Sequence, residues 1–348
     1  MAADLTFLAL PGDGIGPEIM AATLAVLGAL PLSRGVEFQT AEVGFPSLEA
    51  NGVTITDDVI AQARAADGII LGPVSHNAYP PRAEGGLNPS GVLRVGLELY
   101  ANIRPARTWA GVPTPIAAPV DLIVARENLE GFYADRNMAS GPGEISPEPG
   151  LVLAMRKITA KGSRRIAEAG FGLARRKVTA VHKSNVMRMS DGLFLEEVRK
   201  VAAAHPDIDY DEMLVDAAAA HLVRAPGRFD VIVTTNMFGD ILSDLASELS
   251  GGLGVGASLN LGPEAAMAQA QHGSAPDIAG QGVANPASLI LSLAMLLRHL
   301  GEADAADRIE AGVATCLAAP ATRTRDLGGT ATTQSFTDAL LTVLKEAP

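Results

Sequence analysis

The chain has 348 residues, with 27 lysines and arginines against 39 aspartates and glutamates, for a formal net charge of −12. Apolar residues make up 48% and charged residues only 19%, so a sizeable core is expected, in about two domains, and global disorder is excluded. So acidic a chain is a poor general partner for nucleic acid or an anionic membrane.

Only 4% of residues are aromatic, so the core must be aliphatic. The leading residues MAADLTFLALPGDG lack a basic start and run into a Gly-rich turn, which does not read as a signal peptide. The segment TFLALPGDGIGPEIMAATLAVLGAL then predicts a strand, a turn and a helix. The same rhythm recurs in ADGIILGPV, VDLIVARENLEG, the stretch opening KVTAVHKSNV, DEMLVDAAAAHLV and FDVIVTTNMFGDILSDLASELS. Strands alternating with helices predict an α/β fold rich in parallel sheet, and strands apolar throughout predict that both sheet faces are covered. Residues 134–150, rich in Gly, Pro and acids, predict a surface excursion. Chain crossings are expected in the Pro-rich stretch Pro105–Pro119 and near residue 250. These give one discontinuous lobe, 1–104 plus 250–348, and a second, 105–249. The run Ala287–Leu297 is 11 residues long, too short to cross a bilayer, and predicts a buried helix. A single cysteine, Cys316, leaves no intrachain disulfide framework and no cysteine metal cluster, and points to a reduced, cytoplasmic compartment.

Ligands of open α/β sheets bind beyond the carboxyl ends of the strands, so polar residues that follow the apolar runs are candidates. They are Arg126, Glu127 and Asn128; then His182, Lys183, Ser184 and Asn185; then Asp216; then Asn236, Asp240 and Asp244. Asp240 and Asp244 share one helical face, where a hard cation such as Mg²⁺ would relieve their repulsion; a solvated acidic face is the ordinary alternative. Asp216 is a third candidate ligand. Arg94, Arg104 and Arg126 carry the planar fork that grips carboxylates, or they form surface ion pairs. Lys183 is a candidate general base and Tyr133 a candidate general acid; each is equally an ordinary surface or half-buried residue. GDGIGP at Gly12–Pro17 could bring backbone near a ligand. It has neither the dinucleotide G-x-G-x-x-G spacing nor that of a P-loop.

The segments LPGDGIGPEI, LRVGLELYANIRPAR, ARENLEGFY, HKSNV, VDAAAAHLV, TTNMFGDILSDLASELSGGLG and HGSAPDIAGQGVANP occur in this order. The ordered set resembles the isocitrate/isopropylmalate dehydrogenase family of β-decarboxylating dehydrogenases. The resemblance implies a two-lobed α/β sandwich with a mixed sheet and no Rossmann fingerprint. It implies NAD-dependent oxidative decarboxylation of a 3-substituted (2R)-malate with Mg²⁺ or Mn²⁺. By resemblance, Arg94, Arg104 and Arg126 bind the malate carboxylates, and Asp216, Asp240 and Asp244 bind the metal. Lys183 accepts the hydroxyl proton, Tyr133 protonates C3 of the enol, and Asn185 lies near the nicotinamide. HGSAPDIAG resembles the family's adenosine loop: His272, Gly273, Ser274 and Ala275 line it, Asp277 faces the ribose and favours NAD over NADP, and Asn285 meets the adenine edge. The family pattern also implies a homodimer. In it Lys183 and Asp216 of one chain complete the site holding Tyr133 and Arg126 of the other, and the 134–150 segment is an interlocking arm.

The residues before Arg94 bear on the C3 substituent. Isopropylmalate enzymes typically place two leucines where this chain has Ser90 and Gly91, whereas isocitrate enzymes typically present Ser and Asn in this loop, the chemistry of Asn88 and Ser90 in swapped order. Asn88 and Ser90 therefore lean toward a polar or small substituent, as in isocitrate, tartrate or D-malate, with 3-isopropylmalate as the alternative. A non-catalytic regulatory subunit is a reading of another class. Such subunits usually lose part of the arginine, lysine or aspartate set, and every one of those positions is filled here.

Overall fold

A computed structural model describes residues 4–133 and 143–346. The chain divides into two compact units: residues 1–97, 108–114 and 251–348, and residues 98–107 and 115–250.

In the first unit, β1 (Leu5–Leu10), β2 (Val36–Thr40) and β3 (Gly68–Leu71) alternate with α1 (Gly16–Ala29), α2 (Phe45–Asn51) and α3 (Asp57–Ala65), and α4 (Pro89–Gly96) follows. β1 pairs in parallel with both β2 and β3. Of the strands contributed from the far end of the chain, β12 (Ala266–Gln269) pairs in parallel with β3 and β11 (Leu259–Leu261) pairs antiparallel with β12. The strand order here is β2-β1-β3-β12-β11. α9 (Ala287–His299) carries the apolar run and is buried on every side from Ala287 to Ala294. It packs on β12, on α1 and on α10 (Ala303–Ala318), and α11 (Thr333–Glu346) closes over α1 and α10. Leu, Ile, Val and Ala dominate this core, as a chain poor in aromatics requires, and Cys316 is one buried member. All-round apolarity is what makes α9 central rather than amphipathic.

The second unit holds β4 (Ala101–Arg107), β5 (Asp121–Glu127), β8 (Lys177–His182), β9 (Asp209–Leu214) and β10 (Val231–Thr234). Their order is β4-β5-β10-β8-β9, antiparallel at β4/β5 and parallel elsewhere. Residues 98–104, which the sequence placed with the first lobe, belong here because β4 is hydrogen-bonded along its whole length to β5. Helices α5 (Ala160–Leu173), α6 (Ser190–Ala203), α7 (Val215–Arg224) and α8 (Asn236–Ser250) cover these strands. Of the expected 134–150 excursion, residues 134–142 lie outside the described residues. The rest contributes to an antiparallel hairpin of β6 (Glu144–Glu148) and β7 (Leu151–Ala154), exposed throughout. No helix among the described residues is long and apolar enough to cross a membrane.

The Gly-rich turn after β1 is shaped by the chain itself. Gly14 has φ +59°, and a Cβ there would lie 2.0 Å from the carbonyl oxygen of Ser274. That carbonyl accepts the Ile15 N–H at 2.9 Å. The glycine is therefore required by a backbone-to-backbone seam before any ligand is considered.

Candidate active site

α8 starts two residues after β10 ends, so Asn236, Asp240 and Asp244 recur every four residues and share a face. α8 packs on β4 and β5, which supply Arg104 and Arg126. Arg126 donates from Nε and Nη2 to Asn236 Oδ1 (3.0 and 2.7 Å) and from Nη1 to Asp240 Oδ1. Arg104 Nη1 donates to Ser243 Oγ at 2.8 Å and Asp244 Oδ1 at 2.9 Å, and lies 3.5 Å from Asp240 Oδ1. Tyr133 Oη donates to Asp240 Oδ2 at 3.2 Å, and its ring centre is 5.7 Å from the Arg126 guanidinium. Gly239 permits this approach: a Cβ there would meet Arg126 Cβ at 2.6 Å.

The charges are layered. The arginine side chains are 8% and 3% exposed, whereas Asp240 and Asp244 are 35% and 49% exposed. Burial, then the neighbouring Arg126, lowers the Arg104 pKa to about 10, so the Arg104 guanidinium stays charged at neutral pH. Two solvent-reachable carboxylates one turn apart offer the hard oxygen donors that Mg²⁺ or Mn²⁺ takes. A cation drawing on them would free N–H donors of the buried arginines for an anion.

Asp216, by contrast, sits in the first turn of α7 and accepts from Lys183 Nζ at 2.7 Å. That hydrogen bond holds its carboxyl below the usual range. The Lys183 backbone is anchored independently. Its N–H donates to Asp191 Oδ2 at 2.5 Å, and the fully buried Asp191 is neutralised by Arg156 Nη1 at 2.6 Å. Asn185 is exposed in the same loop. The three aspartates thus fall into two groups in one chain. Among the described residues no set of three His, Cys, Asp or Glu side chains is placed to hold a metal ion.

Glu127, next to Arg126, is buried and accepts the N–H groups of Leu129 (2.9 Å) and Glu130 (2.8 Å). Burial raises its pKa to about 7, against 4.5 for an ordinary glutamate. The folded chain then holds a proton that the unfolded chain gives up near pH 4.5. This contribution to stability is complete below that pH and is lost as pH rises through about 7. At one pKa unit per 1.36 kcal/mol the loss is about 3 kcal/mol. Glu127→Gln, which stays neutral, should therefore gain a few degrees in Tm on the wild type between about pH 5 and 7.5. Melting curves across that range check it; parallel profiles would show that Glu127 does not titrate there.

In the first unit, Asn88 caps α4, its Oδ1 accepting the Gly91 N–H at 3.2 Å. Ser90 Oγ and Arg94 Nη2 both donate to Gln269 Oε1, at 3.1 and 3.0 Å. A separate cavity of about 260 Å³ is lined by Ile15, Gly254, His272, Gly273, Asn285 and Asp326, among others. His272 Nδ1 lies 2.9 Å from the Gly273 carbonyl, so Nδ1 carries the proton and Nε2 is an acceptor. Burial lowers the pKa of this imidazole, and its buried Nε2 has no hydrogen-bond partner among the described residues. Asn285 is committed at both ends, to Asp326 Oδ2 (2.9 Å) and to the Ala287 N–H (3.0 Å). Ser274 and Ala275 shape the loop rather than offer polar groups: Ser274 Oγ bonds Ser75 Oγ at 2.7 Å, and Ala275 lines the cavity with φ +38°. Asp277 is exposed, beyond the cavity lining.

Sequence reasoning passed over Ser243, Asp191, Arg156, Gln269 and Asp326. Ser243 precedes Asp244 on a face already flagged, and Gln269 ends a strand, so both carried a signal. Arg156 and Asp326 meet their partners across long sequence separations with no local pattern.

The family model for isocitrate/isopropylmalate dehydrogenase matches residues 6–340. The chain is 41% identical over 356 residues to the 3-isopropylmalate dehydrogenase of Leifsonia xyli, covering 98% of each. It is also 41% identical over 339 residues to the isocitrate/homoisocitrate dehydrogenase of Thermus thermophilus, covering 96% of this chain and 97% of that one. The crystal structure of isocitrate dehydrogenase from Methylococcus capsulatus superposes with TM-score 0.88 at 39% identity, covering 98% of this chain and 99% of that one. The chain belongs to the isocitrate/isopropylmalate dehydrogenase family and is a β-decarboxylating dehydrogenase acting on a small molecule.

Proposed function

We propose that the chain oxidises a 3-substituted (2R)-malate with NAD and Mg²⁺ or Mn²⁺, with a polar or small C3 substituent favoured. The observation that carries this reading is the layered cluster on α8, two buried arginines beneath two accessible carboxylates. It pairs anion recognition with a hard-cation site in one place. Asp240 and Asp244 would hold the metal with Asp216, and the bound ion would act as a Lewis acid on the C2 oxygen. Arg94, Arg104 and Arg126 grip the malate carboxylates. Lys183 takes the C2 hydroxyl proton, and bound NAD would supply the acceptor for the C2 hydride. The C3 carboxylate then departs as CO₂, and Tyr133 returns a proton to C3.

NAD is the cofactor favoured by the residues. His272 lines the cavity, and its orphaned acceptor Nε2 would suit a donor such as the adenine amine; Gly273 has open space at its Cβ position. Asp277, exposed beside that loop, would accept from a ribose hydroxyl and repel a 2′-phosphate. A homodimer in which Lys183 and Asp216 serve the partner's site fits this reading: Asp216 bonds Lys183, and among the described residues of one chain no three His, Cys, Asp or Glu side chains are placed to hold a metal ion. Apolar exposure of the second unit agrees: Val186, Met189 and Ile241 are 69%, 91% and 59% exposed, and Val152 on the hairpin is 64% exposed. A cytoplasmic location follows from the reduced-compartment reading of the lone cysteine.

The 3-isopropylmalate reading has the Leifsonia relative in its favour, but the Thermus relative is equally identical. Ser90 and Gly91 in place of apolar side chains support the polar or small substituent. The test is NADH formation over isocitrate, homoisocitrate, tartrate, D-malate and 3-isopropylmalate, with NAD or NADP and with Mn²⁺ or EDTA. Metal-dependent NAD reduction on one of the polar or small-substituent substrates is expected. No turnover on any of the five, with metal present, would sink the enzyme reading.

A further inference from the structure

The carboxyl end of β12 brings Gln269 against α4, where Ser90 and Arg94 are one helical turn apart. Gln269 is 9% exposed and Ser90 6%. Both α4 side chains donate to the same Gln269 Oε1. An arginine can only donate, so Oε1 must be the atom facing Arg94, and the amide orientation is set by chemistry. The Gln269 backbone is fixed as well, its N–H donating to Ser258 O at 3.0 Å and its carbonyl accepting from Ser292 Oγ at 3.0 Å. The Nε2 group, with two N–H donors, makes no hydrogen bond among the described residues and is not sealed from solvent. A neutral amide also leaves the Arg94 charge intact, whereas a carboxylate in the same place would cancel much of it.

We infer that Gln269 is a specificity-determining residue whose side-chain N–H₂ group, beside Ser90 and Arg94, reads an oxygen-bearing substituent at C3 of the substrate, a carboxylate above all. This rests on the proposed substrate role of Ser90 and Arg94 and narrows it to a substrate class, malates with a 3-carboxyalkyl group. A site that offers hydrogen-bond donors to such a group rejects an apolar one, because burying the donors unpaired is costly.

The experiment compares wild type, Gln269→Glu and Gln269→Leu with Mn²⁺ and NAD, measuring kcat and KM for isocitrate, D-malate and 3-isopropylmalate. Isocitrate carries the carboxylate, D-malate carries no substituent, and isopropylmalate carries an apolar one. Gln269→Glu is expected to weaken D-malate through the shared Arg94 contact and to raise KM for isocitrate at least tenfold more than KM for D-malate. Gln269→Leu is expected to shift the ratio of kcat/KM from isocitrate toward 3-isopropylmalate by at least tenfold. D-malate turnover in each variant reports an intact reacting centre. Equal losses on all three substrates, or isocitrate kinetics that ignore both substitutions, would overturn the inference, as would a wild type that prefers 3-isopropylmalate. A wild type inactive on these three and on homoisocitrate and tartrate as well would instead overturn the proposed function, so the two failures are distinguishable.

Discussion

Asp240→Asn is expected to reduce turnover by about 10³-fold at saturating Mn²⁺, the equivalent of several kcal/mol of charge stabilisation. Asp240 is the shared hinge of the cluster. One oxygen meets both Arg126 and Arg104, and the other takes the Tyr133 hydroxyl. The amide removes a hard anionic ligand and leaves two buried guanidiniums with Asp244 as the carboxylate bonded to Arg104. Burial and Arg126 already depress the Arg104 pKa, so the variant should also be less stable. Breaking a fully buried pair costs about 3–5 kcal/mol; Asp240 is a third exposed, so about 1–3 kcal/mol is expected here after screening. NADH production titrated with Mn²⁺, together with the Mn²⁺-induced rise in Tm, separates the two effects. Turnover within tenfold of wild type, with an unchanged Mn²⁺ response, would remove Asp240 from the metal site.

The second large effect is expected at Lys183. Lys183→Ala should lower kcat by roughly 10²–10⁴-fold, the usual contribution of a positioned acid–base group, while KM changes little. Stability should barely move, because its partner Asp216 is 65% exposed and ion pairs this open contribute little. The loop itself is retained in the variant. Its anchor is the Lys183 backbone N–H on Asp191, and Asp191 is held by Arg156. Partial rescue by an added small primary amine would tie the loss to the missing Nζ. A fall in Tm that tracks the fall in kcat would show instead that Lys183 is structural. Asp191→Ala provides the contrast, since it should lower both by releasing the loop and leaving Arg156 buried without its carboxylate.

Local pattern accounts for most of what was legible. The alternation of apolar runs and helical stretches identified an α/β fold, and the 11-residue run Ala287–Leu297 lies within a buried helix. The four-residue spacing of Asp240 and Asp244 placed them on one face, because helical periodicity needs only neighbours in sequence. The boundary at residues 98–104 was not legible. Their place depends on antiparallel pairing with β5, which no local pattern announces. The glycines of GDGIGP suggested a ligand loop, yet Gly14 answers to Ser274, at the far end of the chain.

The sequence by itself determined the family through an ordered set of motifs, the aliphatic core, and the identity of the polar residues at strand ends. What only the tertiary structure decided is how those charges are sorted. Arg104 and Arg126 share the carboxylates of α8, Asp216 pairs with Lys183, and Ser90 and Arg94 meet on Gln269. The reason is physical. Hydrogen bonding and charge pairing act over a few ångströms in space, whereas these partners are separated by dozens to nearly two hundred positions in the chain. A net charge of −12 averages over all of them, and only the fold shows which anions face which cations.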